Sequence, residues 1–412
     1  MSKLKNVMVA AGLFALASAP TFAVELNQIS DRPGHSYGTD LGVQSPVQDK
    51  LLISGDVGTV YKSRVLTDSG TPLVGSGYQL ANQFFFVEAN LRLNYKTENA
   101  WMSTGLEFRN MMGNMSGASD GINLERALIG YNILQDATSR LDIEVGRTRL
   151  DDVFDSKIQF NSRMDGILLG YANVFEGVGD LVLHGAIFLY DDVTDHYSWV
   201  AEGALHNIMD TGTYFKYSFI DWSKAGATRF ANDQNTGFRS VRNEFKNSQF
   251  TLGYKFNPEF LNLPAHVYGA FLINTAGKVR DGTESLSTNG KKANKAWYAG
   301  LSVGEVKKMG DWSVGANYQS VEAQAIPDRD INGIGLGDVR SADFFATTPA
   351  TPAIADTNYK GFSLVGQMAF SDHLILGIAY LNANEKDQTI RASGTDGRRS
   401  YHNFQAEARF KF

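Results

Sequence analysis

Glu88 with Arg92, and Glu107 with Arg109, are the first residues of this 412-residue chain to suggest chemistry. Each pair holds opposite charges an even number of positions apart. Strand side chains alternate between faces with period two, so each pair shares one face of a strand. Acids and bases on one wetted wall set up a transverse field that orients polar solutes and opposes apolar ones. The same spacing equally serves plain bracing, in which neutral pairs stiffen a wall and select nothing.

Bond-making chemistry has less support. The histidines His35, His184, His196, His206, His266, His373 and His402 are scattered along the chain. Ser198 would face His184 across a hairpin, but neither a GxSxG elbow nor an HExxH pattern accompanies it. His196 with Asp192 or Asp195 reads as a solvated loop rather than a metal site. The cysteine count is zero, which removes thiolate catalysis, disulfides and zinc–cysteine sites. The sequence reads as non-enzymatic, with no cofactor and no metal.

The elements that carry the charges are strands. In FVEANLRLNYKTENAWMSTGLEFRN (86–110), Val87, Ala89, Leu91, Leu93 and Tyr95 alternate with Glu88, Asn90, Arg92, Asn94 and Lys96, and the pattern resumes after a short break. This is a hairpin with one apolar and one charged face. In a soluble sheet the apolar face covers a core, whereas in a membrane barrel it meets lipid and the charges line the interior.

The rest of the chain favours the barrel. About sixteen alternating segments run from 51–64 to 401–412, including 158–174 as one strand. Long connections (65–83, 113–121, 223–247, 277–294, 324–360 and 386–400) alternate with tight ones such as Thr97–Asn99 and Ser371-Asp372. Two chemically different ends of a barrel produce that rhythm, with short periplasmic turns and longer external loops. Tyr95, Trp101, Tyr131, Tyr171, Phe256, Trp312 and Phe370 fall beside short turns. Tyr61, Phe108, Tyr197, Trp199, Trp222, Trp297, Tyr380 and Tyr401 fall beside long loops, so two aromatic girdles are expected.

Residues 1–23 read as a secretory signal: a basic start, a short apolar run and Thr21-Phe22-Ala23 before the cleavage site. Residues 24–50 read as a periplasmic extension or a small plug, and 51–412 as an all-β, transmembrane antiparallel barrel. The formal charge of −6 falls to −8 when Lys3 and Lys5 leave with the signal, and this acidic balance excludes a nucleic-acid partner. Parity places Glu88, Arg92, Glu107, Arg109, Arg126, Asp142, Glu144, Arg163, Asp165, Glu202, Lys216, Lys255, Glu407 and Arg409 on the lumen wall.

The signal, the sixteen-strand rhythm and the closing FQAEARFKF together resemble the Gram-negative outer-membrane porins. The segment GRTRLDDVFDSKIQFNSRMDGILLGY (146–171) looks like the centre of porin families in which a strand ending Gly-Arg enters an Asp-rich loop. The resemblance implies a water-filled channel in the cell outer membrane for passive diffusion of small hydrophilic solutes and ions. It implies contact with outer-membrane lipid and lipopolysaccharide, and it makes Phe410 and Phe412 the signal read by the barrel assembly machinery. A homotrimer fits the same resemblance. An adhesin or receptor barrel with a closed or plugged lumen is the alternative. Enterobacterial porins carry a long third loop with a Pro-Glu-Phe-Gly-Gly motif that folds inward. Here the third connection reads as only about Leu150–Lys157 without that motif, so the family's third-loop constriction is not carried over and the constricting loop is left open. The connection 324–360 is expected either to fold over or into the mouth, or to stay external.

Overall fold

The computed structural model describes residues 50–68, 71–72, 81–111, 122–191, 196–222, 240–241, 244–261, 263–279, 290–327, 330–334, 345–346, 357–387 and 399–412. The expected signal peptide, nearly all of the 24–50 extension and most of the long connections lie outside these residues. Sixteen strands form a closed antiparallel barrel. They are β1 (Lys50–Asp68), β2 (Ala81–Lys96), β3 (Ala100–Met111), β4 (Ile122–Gln135), β5 (Ser139–Arg149), β6 (Arg163–Phe175), β7 (Gly179–Asp191) and β8 (His196–Ile208). The second half holds β9 (Thr213–Trp222), β10 (Phe245–Phe256), β11 (Ala265–Asn274), β12 (Lys295–Gly304), β13 (Trp312–Val321), β14 (Tyr359–Ala369), β15 (Leu374–Glu385) and β16 (Arg399–Lys411).

Each strand pairs with its chain neighbour, and β1 closes the sheet. It pairs with β2 from Lys50↔Lys96 to Val65↔Ala81, and with β16 from Asp56↔Lys411 to Asp68↔Arg399. The last residue is knitted in as well: Gly55 N–H donates to Phe412 O and Phe412 N–H donates to Gly55 O, each at 3.0 Å.

Burial answers the question raised by the hairpin. On β10 the inward Asn247, Gln249 and Thr251 are 0%, 1% and 3% exposed, while the outward Phe250 and Leu252 are 47% and 60% exposed. Ile129, Val145, Ile167, Ile187, Val267 and Leu301 are exposed outward in the same way. A soluble sheet buries the opposite set, so the outer face suits an apolar surrounding and the interior a polar one.

Inward aromatics fit because glycines on the next strand make room. The Trp101 ring lies across Gly130, where an added Cβ would come within 2.0 Å of it, and Tyr214 lies across Gly253 at 2.3 Å. Trp101 thereby reaches β5, and its indole Nε1–H donates to Glu144 at 3.2 Å.

Two sequence expectations change. Of the girdle residues, Tyr131, Tyr197, Trp199, Trp297 and Phe370 stand exposed, but Trp101, Trp222 and Tyr401 are buried inside. Their parity is that of the inward Ser103, Ser218 and Asn403, and the inner wall there has something to pack against. The strand expected over 158–174 starts at Arg163, because residues 150–162 turn into the barrel.

The outward placement of Leu252 is testable by substitution. Leu252→Arg is expected to lower the stability of the refolded barrel by about 2–4 kcal/mol, the cost of a cation on the lipid face near mid-depth. Thr251→Ser, on the inner face, is expected to change it little. Reversible urea titration in lipid vesicles measures both.

Candidate functional site

The connection between β5 and β6 is the centre of the site. It leaves β5 through a short 3-10 turn, Leu150–Asp152, and its neck is closed by Leu150 N–H donating to Ser162 O at 2.8 Å. Leu150, Phe154 and Phe160 then pack with Met164, Leu168, Phe188, Val200, Ile220, Trp222 and Phe245 on the inner wall of β6–β10. Burial of that apolar surface supplies the drive to fold inward.

Polar side chains of β9, β10 and β13 fix where the segment lies. Ser156 Oγ–H donates to Gln249 Oε1 at 2.8 Å, and Gln159 Nε2–H donates to the same oxygen at 3.2 Å. Asn247 Nδ2–H donates to Gln159 at 3.2 Å, and Gln319 Nε2–H donates to the Lys157 carbonyl at 2.9 Å. The Lys216 ammonium pairs with the Asp155 carboxylate. The adjacent Lys216 charge holds the Asp155 carboxyl below the usual carboxylate range. Lys157 is buried beside Lys216, and both effects depress its ammonium well below the usual value.

A second segment descends from the long connection after β13. Ala325, Ile326 and Ile334 join Ile158, Leu272, Tyr298 and Tyr359 in a second interior cluster. Asp330 locks the two segments together: it accepts Phe160 N–H at 3.0 Å and Ser162 N–H at 3.2 Å. Asn332 N–H donates to Ile158 O at 3.0 Å. Phe160 is held at φ 78, a left-handed geometry that costs a bulky residue roughly 1–3 kcal/mol. Its bond to Asp330 offsets part of that cost.

The third connection therefore does fold inward, which the sequence reading leaves open. It is five residues longer than the expected Leu150–Lys157, ending at Ser162, and Phe154, Ile158 and Phe160 give it an apolar underside that the missing motif did not reveal. Within 324–360, residues 324–327 and 330–334 take the inward of its two expected courses.

Among the described residues, much of the inward-facing charge lies on β16–β1–β2–β3. Glu88, Arg92, Glu107, Glu407 and Arg409 stand on their inward parity, as does Arg109. Arg409 pairs with Asp56, and lies 3.0 Å from Glu88 and 3.6 Å from Glu407. Glu88 also holds Arg109 at 3.0 Å, giving a chain Asp56–Arg409–Glu88–Arg109 that crosses four strands. Lys62, which the sequence reading missed, is inward on β1 with its ammonium 5.6 Å from the Phe86 ring centroid.

The remaining expected residues divide. Arg126 is inward and pairs with Asp152 of the inserted segment. Asp142 is inward and accepts from Arg140 at 2.6 Å, and Glu144 holds Trp101. Glu202 is buried opposite His184. Lys216 anchors the segment, and Lys255 is inward near the short-turn end. Arg163 and Asp165 are corrected: they share the outward parity of the exposed Ile167 and Leu169. Arg163 pairs with Glu125, and Asp165 takes Arg147 in two bonds of 2.7 Å. The inserted segment makes the inside of β6 apolar, so Met164 and Leu168 point inward and the charges point out. Ser198 does not meet His184, because it pairs in register with Phe188.

No protein-family model matches the chain, and no curated protein matches it in sequence. Among solved structures, OprB of Pseudomonas putida at high pH aligns with a TM-score of 0.51 and 10% identity, covering 88% of this chain and 94% of that one. The fold is the sixteen-strand porin barrel. A mutant of Rh. blastica porin aligns with a TM-score of 0.44 and 11% identity, over 88% of this chain and 100% of that one.

Asp330 gives the site a pH signature. Burial raises its carboxyl from the ordinary 3.8 to about 7. Between those values the folded chain keeps a proton that the unfolded chain has released. This group therefore favours the fold at low pH, and the contribution is lost as pH rises through about 7. Amide exchange in residues 150–162, corrected for the intrinsic rate, is expected to speed up between about pH 4 and about pH 7 and to level off above. Asp330→Asn is expected to flatten that dependence.

Proposed function

We propose that this protein is an outer-membrane porin through which small hydrophilic solutes and ions cross by passive diffusion. One observation carries the reading: a polar-lined barrel holds an inserted segment at mid-lumen, and β16–β1–β2–β3 carry charged side chains on their inward parity. Sixteen strands enclose a lumen wide enough for an aqueous channel, whereas eight-stranded barrels are filled by side chains. The inserted segment narrows such a lumen without consuming the charged wall.

The wall and the segment differ in charge. Asp151, Asp152 and Asp155 outnumber Lys157 on the segment, while Lys62, Arg64, Arg92, Arg109 and Arg409 outnumber Asp56, Glu88, Glu107 and Glu407 on the wall. Their separation supports a transverse field at the narrowest level, where charge sets selectivity. Asp56, Glu88 and Glu407 contact Arg409, and Glu88 also contacts Arg109, while bases outnumber acids on the inward parity of these strands, which supports a lean toward anions. The roles are those of a passive conduit, with no catalytic group and no cofactor. Phe410 and Phe412, 49% and 56% exposed on the outer face of the closing strand, are accessible to an assembly machinery.

The test is single-channel conductance of refolded protein in a planar bilayer, with the reversal potential under a salt gradient. Discrete ohmic steps and a reversal potential of the anion-permeable sign are the expected result. Lys62→Gln with Arg92→Gln is expected to move the reversal potential toward cations. Replacing residues 152–160 by a short glycine linker is expected to raise conductance about twofold or more, because the segment occupies cross-section. A folded barrel that never conducts would favour the plugged receptor instead.

A further inference from the structure

A cationic cavity lies outside the lumen, at the long-loop rim of β12–β15. It has a volume of about 350 Å³ and is lined by Lys291, Lys292, Lys295 and Lys386 with the two carboxylates Glu322 and Asp387. Both carboxylates are already committed. Glu322 pairs with Lys386 at 3.3 Å and accepts the backbone N–H of Lys295 at 2.9 Å, and Asp387 pairs with Lys291 at 3.0 Å. Among the described residues, Lys292 and Lys295 have no carboxylate partner, and neither does Lys360, exposed on the outer face of β14.

The frame of the cavity is built with strained backbone. Ala293 sits at φ 47 and Asn358 at φ 59, a conformation that L side chains rarely adopt. Each is held in place: Gln324 N–H donates to Ala293 O at 2.7 Å, Lys386 N–H to Asn358 O at 2.8 Å, and Asp387 N–H to Asn358 Oδ1 at 3.1 Å. Ala293 lies between the lysines at 292 and 295, so its turn sets their spacing. Backbone strain held by several bonds is a pointer toward function.

The surface directly below is aromatic. Lys295 precedes Trp297 on the outer face of β12, and Lys360 precedes Phe362 on the outer face of β14. Trp297 stacks on Tyr318 with centroids 5.4 Å apart, Tyr318 is in register with Phe362, and Phe362 lies 6.0 Å from Tyr380. Such a row marks the level of lipid headgroups, with amphipathic rings at the edge of the hydrocarbon. Unpaired lysines just above that level face the phosphates of the adjoining leaflet.

We propose that this rim cavity binds the phosphate of an anionic lipid headgroup, with the acyl chains lying over the Trp297–Tyr318–Phe362 surface. The inference rests on the outer-membrane reading above. Lys292 and Lys295 supply the unneutralised charge, Lys360 guides the headgroup from the outer face, and Glu322 and Asp387 hold the other lysines open.

The test uses the full refolded chain in phosphatidylcholine vesicles carrying either brominated phosphatidic acid or brominated phosphatidylcholine. Bromine quenches nearby tryptophan, and the difference between wild type and Trp297→Phe isolates the signal at Trp297. Preferential quenching by phosphatidic acid is expected, falling about fivefold or more in Lys292→Gln/Lys295→Gln, on the scale of attraction per lysine at an anionic surface. Inorganic phosphate is expected not to relieve the quenching. Equal quenching by both lipids, or an unchanged preference in the double variant, would overturn the proposal. Relief by inorganic phosphate would do so too, by assigning the cavity to a soluble anion. Single-channel recordings on the same samples separate the readings: loss of lipid preference with intact conductance concerns this cavity alone, whereas absence of conductance in wild type concerns the pore.

Discussion

A strand set in an apolar surrounding must find every backbone hydrogen bond on another strand, because no water is there to supply one. The pairing of β1 with both β2 and β16 meets that demand for this chain. Without it, two edges of exposed N–H and C=O groups would remain. Closure fixes which parity of each strand looks inward, and that decides which side chains share the lumen. The charged chain Asp56–Arg409–Glu88–Arg109 exists only across this seam, since Asp56 and Arg409 lie at opposite ends of the sequence. The seam ends with the aromatic Phe412, hydrogen-bonded to Gly55.

Within the closed wall the inserted segment reverses the local rule. Along β10 at mid-strand, polar residues point in and apolar residues point out. Beside the segment, on β6–β9, Leu168, Phe188, Val200 and Ile220 point in because a second core has formed inside the barrel. The segment is thus held on one side by apolar burial and on the other by amides, Gln249 and Gln319 above all. Contacts with β4, β6–β10 and β13 fix the level at which it lies inside the barrel.

Much of this was legible in the sequence. All sixteen strands fall where alternation places them, since a wall with lipid on one side and water on the other enforces a strict period of two. Legibility failed where that condition lapses. A strand read back to 158 puts Arg163 and Asp165 on the inward parity, but residues 158–162 pack inside the barrel and the strand starts at Arg163. Trp101 and Trp222 were read as girdle residues from their distance to a turn, whereas parity sends them inward. The contacts of Asp330 with Phe160 and Ser162 join positions about 170 residues apart, and no local pattern announces such a pair. The lysine cavity is similar: Lys291, Glu322 and Lys386 meet only because three loops end at one rim.

The absence of cysteine makes the central claim, a polar interior inside an apolar outer face, directly measurable. Single cysteines introduced at Glu88, Arg92, Leu91 and Leu93 of β2, in protein refolded into vesicles, report which face meets water. A membrane-impermeant charged thiol reagent is expected to label Glu88→Cys and Arg92→Cys and to leave Leu91→Cys and Leu93→Cys unmodified, while a lipid-soluble reagent shows the reverse order. Equal labelling at all four positions, or preferential aqueous labelling at Leu91 and Leu93, would contradict the account.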